Sequence, residues 1–279
     1  MTGHARATRP RRKDPLGELS ALVERETGIR MPPEKRTLLQ CRLERRLRAL
    51  GLDTLHDYIG HLEREGASER QALIDVVTTN KTDFYREPAH FQYMLQVALP
   101  KLLKSVQTQQ LRVWCAGCSS GEEAYTLAMT VSEALRERPG MDFRILATDI
   151  STRVLEHARK GIYPQAEVAP LPAEWRERYV APSKDRKREL VRVRLHLRRR
   201  VSFHQLNFMD EEYLAPRDFH IVFFRNVAIY FERPVQQAVV RKLSSHLLRG
   251  GYLFMGHSES LQKRIEGLES RGASVFERV

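Results

Sequence analysis

The chain has 279 residues, 42% of them hydrophobic and 29% charged, enough for a sizeable core in one large domain or two unequal ones. No apolar run approaches bilayer-spanning length, the N-terminus lacks a secretory signal core, and three cysteines make no disulfide framework. A membrane-spanning protein and a disulfide-rich secreted one are thereby excluded, and the expected compartment is the cytoplasm. The net charge of +12 predicts an acidic partner, whether nucleic acid, an anionic membrane surface or an acidic protein.

Residues 1–14 carry Arg6, Arg9, Arg11, Arg12 and Lys13 with no apolar pattern, and read as a disordered basic tail. A helical domain is expected over 15–88. Leu16, Leu19, Leu22 and Val23 sit at helical spacing before Gly28; Pro33 opens a second helix, with Leu39, Leu43, Leu47 and Leu50 on one stripe and a stop at Gly51. Thr54 and Ser68 read as N-caps of two more helices. From 89 to 279 strands alternate with helices. "LRVWCAG", "DFRILATD", "RVSFHQLN", "FHIVFFRN", "GGYLFMGH" and "SVFERV" read as strands; "GEEAYTLAMTVSEALRE", "STRVLEHARK" and "RPVQQAVVRKLSSHLLR" read as helices. Continuous apolar strands in such alternation predict an α/β domain with a largely parallel sheet, its last two strands antiparallel. Between about 162 and 200 the pattern breaks. Val191, Val193, Leu195 and Leu197 alternate with Arg192, Arg194, His196 and Arg198, which predicts a small antiparallel β insertion with a basic face.

Ligands of open parallel sheets bind at the carboxyl ends of the strands. There the sequence places Gly117 and Gly121 around a tight turn, Glu122 and Glu123 at a helix start, Asp149 after the second strand, and Asn207 and Asn226 after later ones. Two glutamates at a helix N-terminus repel a phosphate, and an acid after strand two suits a ribose diol, so the pattern fits S-adenosylmethionine. A dinucleotide site, or acids that merely complement the helix dipole, stay open on these residues alone. Cys115 and Cys118 form a C-x-x-C. Thioredoxin-like pairs put the second cysteine inside the helix, whereas here Ser119, Ser120 and Gly121 intervene, and nothing nearby completes a zinc set.

The segments "TTNKTDFYRE" (78–87), "CAGCSSGEEAYTLAM" (115–129), "ATDIS" (147–151), "QLNFMD" (205–210), "RNVAIYF" (225–231) and "GHSESL" (256–261) together resemble the successive motifs of CheR-type chemotaxis receptor methyltransferases. The resemblance runs from about residue 16 to the end. It implies a Rossmann-like methyltransferase fold with a small antiparallel β insertion, preceded by an all-α N-terminal bundle. It further implies methyl transfer from S-adenosylmethionine, leaving S-adenosylhomocysteine, to glutamates of methyl-accepting chemoreceptors. Ala124, Ser120, Tyr85 and Ala228 depart from the family's usual residues without removing a polar site group.

By that resemblance Asn80, Thr82 and Arg86 close over the methionine end of the cofactor, and Gly117 makes the turn. Glu123 and Asp149 share its amino group and ribose in an order left open, while Asn207–Phe208 and Asn226–Val227 line the adenine and methionine pocket. A glutamate acceptor is already ionised at neutral pH, so no general base is needed. Arg86 and Tyr230, a cationic fork and a phenol donor, are expected to position it. Arg42, Arg45, Arg46 and Arg48 on the second helix are expected to meet acidic receptor helices; in some family members the insertion offers a receptor's C-terminal peptide an extra strand, but "APSKDRKRE" here has none of the glycines expected of such a loop. Of the histidines, His90, His204 and His220 read as structural or surface groups, and His257 as a neighbour of the site. A monomer without a metal is expected. A nucleic-acid methyltransferase would match the charge, but no amino-methylating N-P-P-Y-like motif or aromatic stacking module accompanies it.

Overall fold

The computed structural model describes residues 14–105, 110–259 and 265–279; the expected basic tail lies outside them except for Asp14. The chain divides into two compact units, one of residues up to Glu26 together with Met31–Val77, the other of Thr27–Arg30 together with Thr78–Val279.

The first unit holds helices α1 (Pro15–Thr27), α2 (Arg36–Leu50), α3 (Leu55–Glu65) and α4 (Ala67–Val77). The stripe read from the sequence is its core: Leu19, Val23, Leu39, Leu43 and Leu47 are buried with Tyr58, Leu62, Leu73 and Val77. Gly51 ends α2 in the left-handed conformation at φ +67. Thr54 caps α3 by accepting the Asp57 N–H at 3.1 Å. Ser68 does not cap α4, because that helix begins one residue earlier, at Ala67, directly after Gly66. One ion pair is built into this core. Arg46 meets the buried Glu69, which also accepts the Tyr58 hydroxyl at 2.7 Å.

The second unit opens with α5 (Pro88–Tyr93), a π-helical stretch (Met94–Ala98) and α6 (Leu99–Ser105), which the sequence reading did not separate from the strands that follow. Then come β1 (Gln110–Ala116), α7 (Glu122–Ala134), β2 (Asp142–Asp149), α8 (Thr152–Lys160), β3 (Ile162–Pro164), α9 (Ala173–Tyr179), β4 (Val180–Pro182), β5 (Leu190–Val193) and α10 (Leu195–Arg198). The chain ends with β6 (Val201–Gln205), β7 (Phe219–Phe224), α11 (Arg233–Ser245), β8 (Leu247–Met255), β9 (Leu268–Gly272) and β10 (Val275–Arg278). Seven strands form one sheet in the order β6-β2-β1-β7-β8-β10-β9, parallel except where β10 pairs antiparallel with β8 and β9. Buried apolar side chains pack on both faces: Val113, Cys115, Ile145, Ile221 and Phe223 on one, Trp114, Ala116, Val222, Phe224 and α11 on the other. β1 lies between β2 and β7, the point where strand order reverses and ligands of such sheets bind.

The insertion is a three-stranded antiparallel sheet, β3-β5-β4. The alternation read through Arg198 holds only to Val193. Leu195–Arg198 turn helical, so Leu197 is buried while Leu195 is half exposed. Likewise the last long helix stops at Ser245 and the strand starts at Leu247, because Leu247 pairs with Phe219 rather than continuing the helix. Among the described residues no helix is long and apolar enough to cross a membrane.

Candidate functional site

At the carboxyl end of β1 the backbone turns at Gly117 and Gly121, whose φ angles of +88 and +100 favour glycine. Each is also tightly packed. A Cβ on Gly117 would lie 2.4 Å from Val227 Cγ2, and one on Gly121 would lie 2.8 Å from Ala158 Cβ and 2.9 Å from the Tyr163 hydroxyl. The Gly117 and Cys118 N–H groups donate to the Thr148 carbonyl at 2.8 and 2.9 Å, tying the turn to β2. Asp149 completes the tie: its Oδ2 accepts the Ser119 N–H at 2.8 Å and its Oδ1 the Ser151 N–H at 3.0 Å.

The segment 78–87 docks onto this turn. The Ser119 hydroxyl donates to the Asn80 carbonyl at 2.8 Å, and the Tyr85 N–H donates to Thr126 Oγ1 at 3.2 Å. Arg86 reaches back to the Lys81 carbonyl at 3.3 Å and stays partly accessible, as does Thr82. Tyr85 and Glu87 both hold positive φ, at 56 and 54, so this segment is bent twice within three residues.

Arg225 organises what surrounds it. The sequence reading quoted it within "RNVAIYF" but gave it no role. Its side chain is fully buried at the end of β7, between the Phe91 and Phe223 rings at 5.3 and 5.6 Å. Nη2 donates to the Arg86 carbonyl at 2.6 Å and lies 3.2 Å from Glu87 Oε2, while Nη1 lies 3.4 Å from Glu123 Oε2. Burial pushes the Glu123 carboxyl up, and Arg225 and the Cys115 thiol, which donates to it at 3.4 Å, pull it back. Burial also opposes ionisation of Glu87, but the Asn226 amide at 3.1 Å, Arg225 and the His257 N–H outweigh it and hold that carboxyl low. The one visible signal for Arg225 is an arginine closing a predominantly apolar strand, where a charge must be paired.

Asn226 has φ +58, and its N–H donates to Glu259 Oε2 at 2.9 Å. Glu259 also accepts from Gly256 and Ile229, so the "GHSES" and "RNVAIYF" segments close on one buried carboxylate. Burial raises that carboxyl and the backbone N–H bonds partly offset the rise. Val227 packs on the Gly117 turn. Tyr230 sits half-buried in the turn after β7, its carbonyl accepting the Arg30 N–H at 2.8 Å.

Other expected residues fall elsewhere. Asn207 follows β6 and its Oδ1 caps Met209 N–H at 3.0 Å. The Phe208 ring is in the core against Phe224, 5.2 Å between centroids, so only its backbone is left to line a pocket. Glu122, read as a helix-dipole acid, is buried beside the Ser120 hydroxyl, and burial raises its carboxyl to about 7. Cys115 and Cys118 are free and buried, and burial raises both thiols well above the usual range. Of the four arginines on α2, Arg45 and Arg48 are exposed, but Arg42 donates to the Val77 carbonyl and Arg46 pairs with Glu69 inside the bundle. The expected basic face narrows to two residues because the other two are spent on packing the helices.

The polar groups suit a cationic nucleoside: carboxylates of Glu123, at the start of α7 after β1, and of Asp149, at the end of β2. In Arg225, Nε and Nη1 are buried and make no hydrogen bond among the described residues, with Nη1 facing Glu123 at 3.4 Å. Comparison with known proteins agrees. The CheR methyltransferase SAM-binding domain matches residues 80–275, and the CheR methyltransferase all-α domain matches residues 15–78. The chain belongs to the CheR methyltransferase family. As a CheR methyltransferase it binds S-adenosylmethionine and transfers its methyl group. It is 37% identical to a chemotaxis protein methyltransferase of Borreliella burgdorferi, over 90% of this chain and 89% of that one. Chemotaxis protein methyltransferases of Salmonella typhimurium and Escherichia coli are each 38% identical, over 91% and 92% of this chain and 86% and 88% of theirs.

Proposed function

We propose that this CheR methyltransferase esterifies glutamate side chains of methyl-accepting chemoreceptors, in the cytoplasm and as a monomer, for adaptation in chemotactic signalling. The observation that carries this reading is the Arg225 clamp, which brings Arg86 and Glu123 to one place beside the β1 turn. Glu123 and Asp149 provide the negative charge for the cofactor's amino group and ribose, and Asn80, Thr82 and Arg86 close over its methionine end. Gly117, Asn207, the Phe208 backbone, Asn226 and Val227 line the remainder. Bound S-adenosylmethionine supplies an electrophilic methyl group on a sulfonium.

The protein's part is alignment. An acceptor glutamate arrives ionised, so no proton has to be removed before attack. Arg86 and the Tyr230 hydroxyl hold that carboxylate in line with the methyl group, a geometric contribution of the kind worth several kcal/mol of barrier. Packing of the 78–87 segment on the turn keeps water from the reacting atoms. The two units divide the work: Arg45 and Arg48 on α2 dock acidic receptor helices, and the edge strands β3 and β4 of the insertion offer a receptor C-terminal peptide a place to pair.

Tyr230→Phe tests the positioning role. It should lower the methyl-transfer rate while leaving cofactor affinity within about twofold, the signature of an interaction made in the transition state. Loss of cofactor binding in step with activity would remove Tyr230 from the acceptor side.

A further inference from the structure

Behind the cofactor-side face of Glu87 lies a cluster that the methyl-transfer chemistry does not use. Glu87 Oε2 is 3.4 Å from His90 Nδ1 and 3.9 Å from His257 Nε2, and the three ligand atoms lie within 4.8 Å of one another. The two imidazoles stack with centroids 4.4 Å apart. His90 is 2% exposed, and its Nδ1 has no hydrogen-bond partner among the described residues. Its other nitrogen, Nε2, faces the Ala273 carbonyl at 3.4 Å, and a carbonyl can only accept, so the ring proton belongs on Nε2. In the neutral ring the Nδ1 lone pair therefore points at a carboxylate oxygen. Two acceptors facing each other in a buried place call for a positive charge between them.

We propose that Glu87, His90 and His257 form a binding site for a divalent transition-metal cation of the zinc class. Two imidazoles and a carboxylate are the donor set of open zinc sites, and imidazole nitrogen disfavours calcium and magnesium. A tetrahedral zinc with bonds of about 2.0–2.1 Å sets its ligand atoms roughly 3.3 Å apart, so the Glu87–His90 edge already fits, while the exposed His257 ring, stacked on His90, must turn out of the stack and close on the other two to complete the set. The supporting contacts are those such sites require. His90 Nε2 is held by a backbone carbonyl, and Glu87 Oε1 accepts from the Asn226 amide at 3.1 Å. Entry is from the His257 side, whose ring is 44% exposed and leaves the fourth position open. Two groups oppose the cation at the same Glu87 oxygen: Arg225 Nη2 lies 3.2 Å from it, and the His257 N–H donates to it at 3.3 Å. That repulsion places the affinity well below that of structural zinc sites, so the site suits a reversibly bound ion.

The test is metal binding to the full chain, stripped with a chelator and titrated with Co2+ alone, with Zn2+ as competitor. One Co2+ per chain should bind with tetrahedral visible bands and no thiolate charge-transfer band, and Zn2+ should displace it. His257→Ala, an exposed position where folding is secure, should weaken binding by about tenfold or more. His90→Gln should show the same loss, while Cys41→Ser and His56→Ala leave binding unchanged. Binding retained in His257→Ala, a sulfur charge-transfer band, or no Co2+ binding at all would overturn the proposal.

Discussion

Substitution of Gly117 by alanine tests how the turn after β1 is held. The new methyl carbon would stand 2.4 Å from Val227 Cγ2, where real contacts rarely come below 3.0 Å, and the neighbour is a β-branched side chain rather than a flexible tip. Two costs follow. The backbone at φ +88 charges a non-glycine residue about 1–2 kcal/mol, and the steric overlap adds about 1–3 kcal/mol of overpacking. Val227→Ala removes the obstructing methyl groups and with them only the second cost. In a double-mutant cycle read by denaturant midpoints, Gly117→Ala should lose about 2–5 kcal/mol, and Val227→Ala should recover about 1–3 kcal/mol of it, less its own cavity cost. Cofactor affinity, measured calorimetrically, should follow the same pattern because the turn and Val227 are proposed to line one pocket. Additivity of the two substitutions within about 0.5 kcal/mol would refute the contact as the source of the requirement.

Three further outcomes are expected. Arg225→Met should destabilise the fold by about 3–5 kcal/mol, since it strands Glu87 and Glu123 without their buried cation, and Arg225→Lys should recover part of that in an unfolding titration. Glu122, with its folded carboxyl raised to about 7 from a reference of 4.5, favours the folded state fully below pH 4.5 and loses that advantage as pH rises through 7. Glu122→Gln should therefore flatten the wild-type fall in stability across this window, by up to roughly 3 kcal/mol. Of three thiols, only the exposed Cys41 should react quickly with a disulfide reagent at pH 8, and serine at Cys115 or Cys118 should leave cofactor affinity within a few fold.

What could be read from the chain followed from local rules. Leucine spacing in α2, the Thr54 cap, the glycine turn and the apolar strands each depend on a few neighbouring residues, and each stands where expected. What could not be read depended on distant partners. Leu195–Arg198 alternate like a strand, yet no strand lies beside them, and burying Leu197 alone favours a helical turn. Arg42 and Arg46 look like a solvated face until Val77 and Glu69 come within reach from α4. Phe208 belongs to a site motif, but its ring is claimed by the core. Arg225 is the sharpest instance: it follows a buried strand, and its meaning comes from two carboxylates over a hundred positions away.

The central claim is met most directly by incubating the purified protein with methyl-labelled S-adenosylmethionine and receptor-bearing membranes, then treating the products with base. Label should enter the receptor band, leave as methanol on base treatment, and map to glutamate side chains, with Tyr230→Phe transferring it more slowly. Label that is stable to base, or that passes into RNA in a salt-sensitive manner and never into receptor, would contradict the account.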